Sequence, residues 1–210
     1  MSTASLRNDH TLIEKVLNAL ETTVSLLVEG KCIPEQILLP TIDFTQNFTH
    51  VCHHGKEEEG LFPALGQTGM PKNMGPIHRM LLEHKMTEQL AEQIEVNTKL
   101  YLESGNSSKL ILALQNYVTH VREHLWKENN RLFMMADSRL NNVSKEVDDR
   151  LQKIEHAKLE ELGKSRSEYE TLADELEKSV SKRAPLMFLL ETFSIIRKVK
   201  KYIRKYSMFI

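Results

Sequence analysis

The chain has 210 residues, 40% of them hydrophobic and 27% charged, with a formal net charge of −1. That length supports one sizeable core, or a domain with an extension, and the near-neutral balance excludes a global field that would draw the chain to nucleic acid. Two cysteines, Cys32 and Cys52, give no disulfide framework and fit a reducing, cytoplasmic setting. The first ten residues hold no apolar secretory core, and no run of roughly 18 uncharged apolar residues offers a bilayer span.

Residues 6–29 read as a first helix, with His10, Ile13, Leu17, Leu20, Val24 and Leu27 at three-and-four spacing and Gly30 as its stop. Pro34 opens a second helical region that runs to Leu65, with Pro40 as a candidate break or kink near its start. Glycines and prolines make 66–76 a loop. A third helix spans about 77–103, a Ser-Gly-Asn-Ser-Ser turn follows, and a fourth covers about 109–136. Four amphipathic helices with short links predict an all-α, up-down-up-down four-helix bundle over 1–136. Beyond Ser138 the composition shifts. Residues 143–180 are charged, with Val147, Leu151, Ile154, Tyr169, Leu172, Leu176 and Val180 at helical spacing, and 137–210 reads as a helical extension. Its end, 186–210, is apolar and then basic. The plainer expectation is that this tail packs on 143–180. The alternative is peripheral contact with an anionic membrane or a protein partner.

The phrase Thr-His-Val-x-x-His-x-x-x-Glu occurs twice, at 49–58 and 119–128. On a helix, positions four apart share a face. Each copy is therefore a ladder of imidazoles and a carboxylate: His50, His54 and Glu58, then His120, His124 and Glu128. Asp9-His10 with Glu14, and Glu83-His84 with Glu88, repeat the same offset on the preceding helices. In an antiparallel bundle these groups converge at one end. Imidazole and carboxylate are ligands for first-row transition metals, and burying several of them without a metal costs several kcal/mol each.

Helical phase favours His54 and Glu58 as the inward pair, because Val51 and Phe44 precede His54 as Val121 and Leu114 precede His124. The alternative register, His53 with Glu57, is favoured by Lys-Glu-x-x-x-Leu-Phe at 56–62 matching 127–133, and a local helix bulge would reconcile the two. His50 and His120 lie a turn deeper, as extra ligands or as groups behind the ligands. Glu14, Glu83 and Glu88 read as surface groups or as carboxylates that orient imidazoles, and His78 and His156 as solvated.

The runs Cys-His-His-Gly-Lys-Glu-Glu-Glu-Gly-Leu-Phe-Pro at 52–63, Gly-Pro-Ile-His-Arg-Met-Leu-Leu-Glu-His at 75–84 and His-Leu-Trp-Lys-Glu-Asn-Asn-Arg-Leu-Phe at 124–133, with Asp9-His10, resemble a hemerythrin-like (HHE cation-binding) domain over about 5–136. The resemblance implies a four-helix bundle holding an oxo- or carboxylate-bridged di-iron centre, two Fe2+/Fe3+ ions, with His10, His54, Glu58, His84, His124 and Glu128 as ligands and the two glutamates bridging. Dimanganese is a possible substitute. Relatives of this kind bind O2, respond to iron, oxygen or nitric oxide, or serve iron–sulfur repair. The expected function is a di-iron protein that binds or senses O2, NO or peroxide, rather than a dedicated enzyme. The alternatives are a di-iron oxidase or peroxidase, with His50 and His120 relaying protons, and a metal-gated interaction protein.

Overall fold

The computed structural model describes residues 2–183. The expectations for the tail at 186–210 lie outside these residues. Every regular element among them is helical.

Helix α1 is Ala4–Val28, and Gly30 follows it at φ +76°, a conformation that glycine adopts without a side-chain penalty. Helix α2 is one continuous rod over 35–67. Its α-helical start, Glu35–Asp43, passes through Pro40 without a break. It then widens into two π-helical stretches, Phe44–His54 and Glu57–Leu61, before closing as Phe62–Gln67. Helix α3 is Gly75–Ser104, ended by Gly105 at φ +73°. Helix α4 covers 108–139, with a single π-helical stretch at Glu128–Leu132.

The widening of α2 sets its inner face. Over 44–61 buried pairs recur at 44/45, 48/49, 52/53, 56/57 and 60/61, a repeat of four, with His54 buried in addition. An α-helix repeats every 3.6 residues, so over three turns its inner face would drift away from these positions. Turns closed i→i+5 are wider and keep two adjacent columns facing inward. Val51, the phase marker for His54 and Glu58, is consequently only half-buried, while His53, His54 and Glu57 are all buried.

The 143–180 segment is not one helix. Gly163, at φ +63°, ends α5 (Ser144–Glu161), and Ser165 starts α6 (Arg166–Ser181) with a reciprocal capping box to Glu168. Both helices lie on the bundle. Tyr169, Ala173, Leu176 and Val180 of α6 share one apolar core with Leu12, Val16, Phe44 and Phe48, and the Tyr169 ring stands 5.2 Å from that of Phe48. Val147 and Leu151 of α5 join a second core with Leu6, Leu61, Phe62 and Phe133. The described part of the extension is thus continuous with the bundle's interior. No helix among the described residues is long and apolar enough to cross a membrane.

Gly60 is what lets α5 approach α2. A Cβ at this position would stand 2.5 Å from Leu151 Cδ2 and 3.1 Å from Ile154 Cδ1. Gly60→Val is therefore expected to destabilise the protein by about 1–3 kcal/mol in denaturant unfolding. An unchanged midpoint would show that α5 does not depend on this approach.

Candidate metal centre

The inner columns of α2 meet α1, α3 and α4 at one level. His10, His53, Glu57 and Glu128 each bring a donor atom within 4.8 Å of the others, as do Glu57, His84, His124 and Glu128, and as do His54, His84 and His124. Glu57 and Glu128 belong to two of these groups. The seven side chains are at most 3% exposed.

The outer nitrogens of four rings are occupied. His53 Nδ1 is 3.1 Å from Asp9 Oδ2 and His124 Nδ1 is 3.1 Å from Glu83 Oε2. His10 Nδ1 is 3.0 Å from Asn129 Oδ1 and His84 Nδ1 is 2.7 Å from Glu58 Oε1. Arg7 Nη1 also reaches Asn129 Oδ1, at 3.3 Å, which fixes that amide with its oxygen toward the ring. Each Nδ1–H donates outward, so in the neutral ring each Nε2 turns inward as an acceptor, and His84 becomes a donor there once it takes up a second proton.

Inside, acceptors face acceptors. His10 Nε2 is 3.2 Å from His53 Nε2 and 3.3 Å from Glu128 Oε2. His124 Nε2 is 3.3 Å from Glu128 Oε1, and His84 Nε2 is 3.1 Å from Glu57 Oε2. The Nε2 atoms of His84 and His124, both ring nitrogens of His54 and all four carboxylate oxygens of Glu57 and Glu128 have no hydrogen-bond partner despite being buried. Orphaned buried acceptors cost about 1–3 kcal/mol each, and more when charged. A cation satisfies several such lone pairs at once, and the donor set of imidazole nitrogen and carboxylate oxygen suits a transition metal. These residues fit a metal centre.

Electrostatics without metal follow from the same crowding. Burial lifts the Glu57 carboxyl well above its usual range, with the adjacent Glu128 adding to the shift. Burial would lift Glu128 as well, but His124 and His10 hold it well below. Burial opposes protonation of His84, yet its contacts to Glu128, Glu57 and Glu58 raise its pKa. Burial, with His84, His53 and His124 around it, keeps His54 neutral far into acid.

The site has an internal two-fold correspondence. His10 pairs with His84, His53 with His124 and Glu57 with Glu128. Asp9 pairs with Glu83, Lys56 with Lys127, and Glu58 with Asn129. Phe133 stacks on His10 at 5.0 Å and Phe62 on His84 at 5.7 Å. The matching phrase is Lys-Glu-x-x-x-Leu-Phe rather than the Thr-His-Val ladder. His54 is the odd member, since Leu125 stands at its counterpart. Its ring lies parallel to that of His84, with centroids 3.8 Å apart.

Of the residues expected from sequence, His10, His54, His84, His124 and Glu128 come together here. Glu58 does not join them: its side chain is 39% exposed and holds the outer nitrogen of His84, while Glu57 takes the inner place. His53 enters along with His54 rather than instead of it. The wide π-helical turns are the physical reason for both changes. His50 and His120 stand apart from the three groups. His50 Nε2 faces Glu88 Oε1 at 3.4 Å, and His120 Nε2 donates to the Glu83 carbonyl at 3.0 Å. Glu83 orients His124, whereas Glu14 pairs with Arg122 on the surface. His78 and His156 are exposed. Asn129 and the pairing of Asp9 with His53 were not foreseen. The Lys-Glu repeat, followed one residue further, points to Asn129 as the partner of Glu58.

A model of the hemerythrin HHE cation binding domain matches residues 1–136. No curated protein and no solved structure matches the chain.

The metal-free centre should be acid-sensitive. Burial lowers the His53 pKa from 6.5 to about 4, despite the Asp9 contact. Below 6.5 the unfolded chain takes up a proton that the folded protein refuses until about pH 4. Stability is therefore lost as pH falls through that window, by up to about 3 kcal/mol from this group. Chelator-treated wild type is expected to lose more stability than His53→Gln between pH 7 and 4 in urea unfolding. Parallel profiles would contradict the assignment.

Proposed function

Because the chain belongs to the hemerythrin HHE cation-binding family, we propose that its four long helices form an up-down-up-down bundle around a centre in which His10, His53, His54, His84, His124, Glu57 and Glu128 would hold two iron ions, and that this centre binds or senses O2, NO or peroxide. The observation that carries the reading is the convergence of unpartnered buried acceptors on a point where both carboxylates are shared between two histidine groups. A single ion has no need of two such groups.

In this reading His10 and His53 hold one ion, and His84 and His124, with His54 beside them, hold the other. Iron at such a site supplies redox-active coordination positions for diatomic ligands and peroxide. The chain's own contribution is positional. Four outward Nδ1 contacts orient the rings, which raises ligand basicity and defines the tautomer. Phe62, Phe133, Leu6, Leu61 and Leu132 enclose this end of the bundle, keeping bulk water from buried charge. The near-complete burial of all seven side chains supports a ligand of two or three atoms over a larger substrate. Loading must displace the protons that Glu57 and His84 retain, so iron affinity rises with pH.

Anaerobic titration with ferrous iron is expected to give two ions per chain, and exposure to O2, NO or peroxide is expected to produce a new ligand-to-metal absorption band. Loading of two ions with no spectral response to any of the three would reject the ligand-binding role and leave only a structural metal. Glu57→Ala is expected to abolish binding of at least one ion, whereas Glu58→Gln lowers affinity by about 10–100-fold. The reverse order would restore the Glu58 register.

A further inference from the structure

The two-fold correspondence of the centre breaks at one place outside the histidines. In the second half, Glu83, which orients His124, is held by two cations: Lys127 at 2.9 Å, and Arg79 at 2.6 Å from one turn earlier on the same helix. In the first half, Asp9, which orients His53, is held by Lys56 at 2.5 Å, the counterpart of Lys127. The counterpart of Arg79, one turn before the aspartate, is Ser5. No arginine on α1 can serve Asp9 from that position. The second cation instead comes from the extension: Arg166 Nη1 at the start of α6 lies 2.8 Å from Asp9 Oδ1.

The contact is built on both sides. Asp9 and Lys56 are fully buried. Glu155 of α5 pairs with Arg166 Nη1 at 3.0 Å and also with the Lys56 ammonium. The Arg166 guanidinium lies 5.9 Å from the centre of the Phe48 ring on α2. Two cations and two anions thus balance beneath His53, and one of each belongs to α5–α6. With α5–α6 in place Asp9 and Lys56 are out of water, where loss of the Arg166 and Glu155 charges would leave them a lone buried pair, an expensive arrangement.

We propose that Arg166 is a positioning residue for the half of the centre built on His10 and His53, supplied by the extension in place of an arginine that α1 lacks, so that docking of α5–α6 and occupancy of that half are coupled. The inference rests on the metal-centre reading above. Coupling of this kind is reciprocal: what the docked extension does for the ion, the ion does for the docked extension.

The test uses the full chain and ferrous iron under anaerobic conditions, with a competing chelator to separate the two binding steps. Helical circular dichroism serves as the check on folding. Arg166→Gln is expected to weaken one of the two ions by about tenfold and leave the other within twofold, and Arg166→Lys to restore most of the loss. In a His10→Ala background, where the first half is already disabled, Arg166→Gln should have no further effect on the remaining ion. Equal weakening of both ions, or of neither, would overturn the proposal while leaving the metal centre standing. If Arg166→Gln does not fold, hydrogen exchange on the wild type decides. Iron loading must slow exchange of amides in 166–181, and an unchanged rate there would overturn the coupling. A wild type that binds no iron defeats the metal-centre reading itself.

Discussion

The structure depends on making two carboxylates and five imidazoles tolerable where bulk solvent does not reach. Glu57 and Glu128 have four oxygens with no hydrogen-bond donor, and the Nε2 atoms around them are acceptors because their Nδ1 partners outside have already been chosen. Such a cluster is stable only if positive charge enters it. The metal-free state meets the requirement in part with protons, which is why the carboxyl of Glu57 and the ring of His84 are both shifted toward their protonated forms. A divalent cation meets it more fully, because one ion accepts several lone pairs at once. The same constraint ties loading to proton release.

That constraint explains the unusual backbone of α2. An α-helix presents one residue per turn to a point on a neighbouring axis. Here one rod must offer His53, His54 and Glu57 to the centre and still place Lys56 beneath it, against Asp9 and Glu155. Wider i→i+5 turns solve the problem by bringing adjacent residues inward together. In α4 only Glu128–Leu132 is widened, and there only His124 and Glu128 reach the centre. The rod with the longer π-helical run is the one that carries the extra histidine, His54.

The same reasoning shows what could be read from the chain and what could not. The helices of the bundle were legible because Gly30, Gly105 and Pro34 punctuate long apolar stripes. His10, His84, His124 and Glu128 were legible because they lie on α-helical turns, or at the edge of one, where spacings of three and four hold. Glu57 was held only as the alternative register because the phase argument assumed 3.6 residues per turn across a stretch whose buried positions repeat every four. The competing signal, Lys-Glu-x-x-x-Leu-Phe, was the better guide, since it compares two copies in the same local geometry and needs no assumed period. The break at Gly163 was hidden because the apolar positions of α5 and α6 sit at helical spacing on both sides of it. The pairing of Arg166 with Asp9 was beyond reach: nothing local links residues so far apart in the chain.

The Asp9 side and the Glu83 side also differ in exposure, and that difference gives the extension a physical role. Arg79 is 66% exposed and reaches Glu83 from solvent along its own helix. Arg166 reaches Asp9 from a helix whose apolar face is committed to α1 and α2 through Tyr169, Ala173 and Leu176. A cation on a flexible, solvated side chain can leave its carboxylate at little cost. One delivered by a packed helix cannot leave without exposing that helix's core residues and stranding buried charge. The carboxylate that orients His53 is therefore tied to the seating of α6, whereas the one that orients His124 is held from within α3 and α4.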